Sequence, residues 1–209
     1  MKRGVEMEKL DHATYFPTHV YAVKKPEFLE SVREVSDRYL AEVRQEKQMT
    51  VMTRTYAHEE SIKEFAEYVS QTAWNILQSQ GYAMDKLVTF FTEMWTQEHN
   101  TISDMTYHVH GMGSQISAFY FLDAPPAGCQ FVIHDPRPTK MMINLPQADE
   151  GKITDASFNV MFTPEAGTLM FTNAWLPHSF TKNLSTEPCR FVHMNLGVMP
   201  GPEPEVEVV

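Results

Sequence analysis

Ile116-Ser117-Ala118-Phe119-Tyr120-Phe121-Leu122 is the stretch that decides the fold. It is too short for a buried helix and carries the aromatic side chains that suit a pleated surface, so it reads as a buried strand. Cys129 to Ile133 and Thr168 to Thr172 repeat the pattern. Between the first two runs lies Asp123-Ala124-Pro125-Pro126-Ala127-Gly128, where proline is barred from a ladder and glycine is free to turn. Short strands broken by Gly and Pro predict a closed β-barrel or a two-sheet jelly roll. Histidines flank the block: Tyr107-His108-Val109-His110 precedes it, and Trp175-Leu176-Pro177-His178 comes 68 residues after His110, with Arg190 twelve further on. In such a fold, two histidines near one strand end can meet a third from a strand distant in sequence. The result is a metal site with open positions, of the kind that suits non-haem Fe(II) chemistry.

Composition narrows the field around this core. A chain of 209 residues with 43% hydrophobic and 21% charged residues suits one soluble globular domain and excludes a fibrous or disorder-dominated reading. The formal charge of −10 repels phosphate backbones, and no cluster of Lys and Arg offsets it. Nucleic acid is therefore not an expected partner, and a substrate of basic character is mildly favoured. Cys129 and Cys189 both fall in predicted strands, where a small buried thiol is the simplest reading, and reduced thiols fit a cytoplasmic setting. No apolar run is long enough to span a bilayer, and the N-terminus lacks the apolar segment of a secretory signal.

Along the chain, residues 1–14 read as a loosely held polar arm and residues 15–86 as a strand followed by two packing helices. Val20, Tyr21 and Val23 suggest the strand. Phe28, Val32, Val35, Tyr39 and Val43 recur at helical spacing behind Pro26. The second helix is signalled by Ser61 with Glu64, a capping-box pattern, and by the stripe Ile62, Phe65, Ala66, Val69, Ala73, Ile76 and Leu77, with Gly81 at its end. From 87 to 199 β-branched and aromatic residues take over as the β-core, starting with a strand from Leu87 to Trp95 and a turn at 100–104. Residues 141–158 are polar and irregular, the best candidate for a mobile loop over a site. Residues 200–209 form an acidic, proline-rich tail.

His12, His19, His58 and His99 are read as ordinary surface or core histidines. His108 and His110 differ, because positions i and i+2 of a strand share a face and both rings can reach one ion. His178 joins them at the start of a strand that follows the apolar run Thr168 to Thr172. Arg190, set among Phe191, Val192 and Leu196, is predicted to be partly buried and so to need an anionic partner, such as a carboxylate held in a bidentate fork at the deep end of the barrel. His134 and His193 are assigned to packing or to supporting the ligands.

Tyr15 to Val198 resembles the 2-oxoglutarate- and Fe(II)-dependent oxygenase family of the prolyl 4-hydroxylase-like superfamily, met often in phages and marine bacteria. The matching pieces are Phe16-Pro17-Thr18, Met94-Trp95, His108-Val109-His110, Ser117 to Leu122, Asp135-Pro136-Arg137, Trp175-Leu176-Pro177-His178 and Arg190. The resemblance implies a double-stranded β-helix with helices packed on its outer sheet. It also implies that 2-oxoglutarate and O2 are converted to succinate and CO2 while a substrate is oxidised, most simply by hydroxylation of a protein side chain or a small metabolite. Fe(II) would be held by His108, His110 and His178, and the far carboxylate of 2-oxoglutarate by Arg190. The superfamily's usual ligand set is His-x-Asp plus a distal His, and here His110 stands in the Asp position. Either the site uses three histidines, the favoured reading, or Asp135 supplies the carboxylate. The competing readings are a cupin-like metal enzyme that does not use 2-oxoglutarate, and a metal-free binding barrel.

Overall fold

The computed structural model describes residues 11–111 and 113–202, so most of the predicted arm and of the acidic tail lies outside the described residues. The first strand, β1 (Val20–Lys24), leads through a 3-10 turn at Pro26–Phe28 into α1 (Leu29–Val43). Pro26 opens that turn because its missing N–H would be unpaired there in any case. Val32, Val35, Tyr39 and Leu40 form the buried stripe of α1. A short strand, β2 (Thr50–Met52), precedes α2 (Lys63–Ser79), whose buried face carries the residues expected of it. The capping box does not form: Ser61 lies inside a 3-10 turn at Glu60–Ile62, the N-cap is Ile62, and no side chain caps the helix. Gly81 does end the helix, with φ +94° and its N–H donated to the Gln78 carbonyl.

Eight more strands follow among the described residues: β3 (Leu87–His99), β4 (Met105–His108), β5 (Ser114–Asp123), β6 (Phe131–His134), β7 (Asn159–Phe162), β8 (Thr168–Asn173), β9 (His178–Phe180) and β10 (Cys189–Pro200). A six-stranded sheet has the order β1-β8-β5-β10-β3-β2 and a four-stranded sheet the order β4-β9-β6-β7. Neighbours in both are antiparallel. Two facing antiparallel sheets with long-range pairing are the expected double-stranded β-helix. Its boundary differs from the sequence reading, since β1 and β2, drawn from the segment before residue 87, extend the large sheet at both edges.

Strand alternation sorts the side chains into two cores. Ile116, Ala118, Tyr120 and Leu122 of β5 and Val192, Met194 and Leu196 of β10 point outward and pack under α1 and α2. Phe119, Phe121, Cys189 and Phe191 point inward and meet Phe131 and Phe180 of the small sheet. Fully burying one such phenylalanine is worth about 1.5–3 kcal/mol, so this aromatic block is the main glue between the sheets. His99 belongs to it, stacked on Phe180 and Phe191 and bonded to Gln97 and Ser103, which makes it a core histidine as expected. The β3–β10 ladder slips once, between Asn195 and Leu196, where Thr92 is passed over in the pairing. Just beyond, Gly197 runs so close to β5's approach that an added Cβ would sit 2.9 Å from the Gly113 carbonyl oxygen and 3.0 Å from the Phe90 ring.

Candidate metal centre

Three strands' worth of topology brings the predicted histidines together. His108 closes β4, whose register partner is His178 at the start of β9, and His110 lies just past the strand, fixed by its N–H to the Ala174 carbonyl at 2.9 Å. Ligand nitrogens of His108, His110 and His178 lie within 4.8 Å of one another. The Nε2 atoms of His110 and His178 are 3.3 Å apart, close to the span of two ligands bound about 2.1 Å from one ion. Nδ1 of His108 donates to the Thr106 carbonyl at 2.7 Å and Nδ1 of His178 to the Leu176 carbonyl at 3.0 Å, which leaves both Nε2 lone pairs free to face a metal. Burial pulls His110 down to about 4 and His178 to about 3, so both rings are neutral near pH 7, the form that ligates. Phe119 and Phe131 wall the cluster, with ring centroids 5.2 and 5.6 Å from that of His178. The donor set fits a divalent transition metal.

Asp135 does not join this cluster. It stands at the expected end of the barrel, since β4 and β6 both run antiparallel to β9 and are therefore parallel. Its carboxylate, however, is held by Arg137 at 2.9 and 2.8 Å and by Lys140 at 2.8 Å, and these cations hold it well below the usual carboxylate range. Asp135 and Arg137 edge a cavity of about 550 Å³ that also includes Phe16, Val20 and Ile133, the last being the cross-strand partner of His178.

Arg190 is the larger correction. Its parity on β10 is that of Val192 and Met194, so the side chain leaves the barrel and turns toward α1. There it pairs with Asp37 and Asp123 at 2.5 Å each, with Glu98 3.9 Å away. The expectation of partial burial beside anions holds, but the anions are the protein's own carboxylates. Among the described residues no lysine or arginine is fully buried, so the inner barrel has no such cation to offer.

The inward positions of β10 beyond Arg190 hold His193, expected with His134 to pack or to support the ligands, and Asn195, to which the sequence reading gave no role. His193 is buried against His110, Trp95 and Phe119, with ring centroids 4.6, 4.4 and 4.7 Å apart, and burial pushes it well below the usual imidazole range. His134 bonds the Ser179 hydroxyl at 2.8 Å. Asn195 reaches Nδ1 of His110 at 3.2 Å. The signal for Asn195 was its even spacing from His193 on one strand.

Residues 93–193 match the model of a family described as "Putative 2OG-Fe(II) oxygenase". No curated protein matches the chain. Among solved structures, a Pseudomonas putida prolyl-4-hydroxylase is similar with a TM-score of 0.61 at 12% identity, over 86% of this chain and 92% of that one. The viral collagen prolyl hydroxylase of Paramecium bursaria Chlorella virus-1, in complex with 2-oxoglutarate, gives 0.56 at 11%, over 85% and 94%. HygX of Streptomyces hygroscopicus, with nickel and 2-oxoglutarate bound, gives 0.55 at 13%, over 86% and 83%. At these identities the structures speak for a shared fold, while the sequence match spans the segment that carries all three histidines. Residues 93–193 thus resemble in sequence the 2OG-Fe(II) oxygenases, enzymes that use Fe(II), 2-oxoglutarate and O2, and the chain shares the fold of prolyl 4-hydroxylase-like structures.

Proposed function

We propose that this protein is a hydroxylase in which His108, His110 and His178 hold Fe(II). The observation that carries the reading is the convergence of three imidazoles at the end of a double-stranded β-helix. With 2-oxoglutarate bound, the metal would supply the oxidising chemistry, coupling decarboxylation of the cosubstrate to oxidation of the substrate. The chain's own part is to bind, orient and keep dry. Backbone carbonyls at Thr106 and Leu176 fix two of the rings, and Phe119 and Phe131 exclude water from one side of them.

Arg190 is committed elsewhere, so the counter-charge for the far carboxylate is assigned to Arg137 with Lys140. Of the two cations on the Asp135 carboxylate, Arg137 lines the 550 Å³ cavity beside Ile133, together with Asp135 and Asp155. The same cavity is the proposed entry for substrate, a protein side chain or a small metabolite. The two buried free cysteines are consistent with the reducing cytoplasm as its setting.

One observation favours a second reading. The outward turn of Arg190 is what a metal enzyme of this fold that does without 2-oxoglutarate would show. Calorimetry under nitrogen separates the two: the full chain is loaded with Mn(II) and titrated with 2-oxoglutarate, and succinate is measured after Fe(II), ascorbate and air are added. Binding and succinate formation support the proposal. Metal binding without 2-oxoglutarate binding supports the second reading, and no metal binding refutes both.

A further inference from the structure

Beside the metal ligands runs a chain of hydrogen bonds that is complete without any metal. Asn195, 1% exposed, takes a hydrogen bond at Oδ1 from the Ser117 hydroxyl at 2.9 Å. Its amide nitrogen lies 3.1 Å from a Glu93 carboxylate oxygen and 3.2 Å from Nδ1 of His110. The amide has two hydrogens and both acceptors are in reach, so Nδ1 of His110 receives one of them. The proton of that neutral ring then sits on Nε2, which points at Nε2 of His178 across 3.3 Å. His178 can accept it, because its own ring proton is on Nδ1 and goes to the Leu176 carbonyl at 3.0 Å. Every donor in the row from Glu93 to Leu176 thus has an acceptor.

A metal cannot use His110 in that state, since the lone pair it needs is covered by a proton. Ligation through Nε2 requires the other tautomer, in which one proton leaves Nε2 and one is taken up at Nδ1, with no net change. The new Nδ1–H then faces an NH2 group. Turning the carboxamide by half a revolution removes that conflict: Oδ1 accepts from Nδ1–H and the NH2 donates to the Ser117 hydroxyl. The serine's own hydrogen then needs an acceptor. Thr172 is Ser117's partner across the β5–β8 ladder, and its hydroxyl oxygen is buried with no hydrogen-bond partner. The turned amide would bring its oxygen against the Glu93 carboxylate, but Glu93 is exposed and can swing into water.

We propose that Asn195 is a positioning residue that sets the tautomer of His110, and that its side-chain amide turns over when metal binds, with Glu93 holding the metal-free orientation. The inference rests on His110 being a metal ligand. It makes Glu93 a competitor of the ion, which is the opposite of what its charge alone would do. A nearby carboxylate ordinarily raises cation affinity by simple attraction; here its removal should raise it.

Co(II) is the probe, titrated into the metal-free full chain by calorimetry and followed by its visible absorption bands. Glu93→Gln should bind Co(II) severalfold more tightly than the parent, because a glutamine amide can donate to the turned Oδ1. Asn195→Leu should bind at least tenfold more weakly, the scale of losing a partner to a ligating histidine. Asn195→Asp should recover most of that loss, since a carboxylate accepts from Nδ1–H without turning. Thermal midpoints of the metal-free variants report any general damage to the fold. If Asn195→Leu does not fold, Glu93→Gln alone decides. Unchanged or weaker Co(II) binding by Glu93→Gln, with normal binding by the parent, overturns the inference and leaves the metal site standing. Failure of the parent to bind Co(II) overturns the metal site itself, and the inference with it.

Discussion

Replacing Arg190 by methionine should weaken the fold and leave the metal centre untouched. The guanidinium is buried enough to matter, with its side chain 19% exposed, and it serves three carboxylates of unequal depth. Asp37 is 56% exposed, so its pair is screened and contributes at most about 1 kcal/mol. Asp123 and Glu98 are 26% and 4% exposed and would be more costly to strand, but each keeps another cation: Arg33 at 3.2 Å for Asp123 and Arg44 at 2.5 Å for Glu98. Breaking a fully buried pair costs about 3–5 kcal/mol. With both deep acids still partnered and the methionine stem retained, about 2 kcal/mol is the expected loss. At a urea m-value of about 2–3 kcal/mol/M for a chain of this size, the midpoint should fall by about 0.7–1 M. Calorimetry with Mn(II) and then 2-oxoglutarate should give the parent's affinities. An unmoved urea midpoint together with a tenfold loss of 2-oxoglutarate affinity would refute this placement and return Arg190 to the cosubstrate.

His178→Ala should abolish Mn(II) binding and, under turnover conditions, succinate formation; metal binding as in the parent would remove His178 from the site. His110→Asp should keep Fe(II) while Asp135→Asn also keeps it, whereas loss of metal in Asp135→Asn with retention in His110→Ala would make Asp135 the ligand and His110 a bystander, as metal analysis after anaerobic purification would show. Burial holds His99 down at about 4 against an ordinary 6.5, so an unfolded chain takes up a proton that the folded one refuses. The resulting stability is complete above pH 6.5 and drains away as pH falls toward 4, by about 3 kcal/mol for His99 alone. Urea midpoints of metal-free protein at pH 7, 5.5 and 4.5 should fall in that order, and equal midpoints would contradict it. Gly197→Ala should cost about 1–3 kcal/mol, because the new methyl meets the Gly113 carbonyl oxygen at 2.9 Å and neither backbone can yield freely. A thermal midpoint equal to the parent's would show that the bulge relaxes.

Most of the fold was legible because the apolar runs of β5, β8 and β10 and the stripes of α1 and α2 are long and regular. β2, three residues long, and β7, at the end of an irregular polar stretch, offered no such pattern; their pairing with β3 and β6 holds them. The histidine cluster could be read because two rings two residues apart and a third behind an apolar strand need no exact register to meet. Arg190 could not be read the same way. A strand changes faces at every residue, so spacing counted from His178 put the guanidinium near the right depth and on the wrong side of the sheet. The inward neighbours Phe191 and His193 carried the correct parity, and Asn195 followed from it. The Ser61–Glu64 pair shows the other kind of miss: a correct local signal was displaced by one 3-10 turn, and the cap was lost with it.

His108 and His110 hang from β4, an edge strand of four residues whose ladder to β9 is registered only at Met105–Phe180 and His108–His178. Few backbone bonds hold such a strand, so it is among the first parts of the sandwich to fray. A ligand that bridges β4 and β9 would act as a rivet at that seam, and its release would be timed by the opening of the seam as much as by the strength of three nitrogen bonds. Amide hydrogens along β4 would then exchange slowly in loaded protein and quickly once the ion is gone, and the enzyme's metal would leave on the timescale of a strand peeling away.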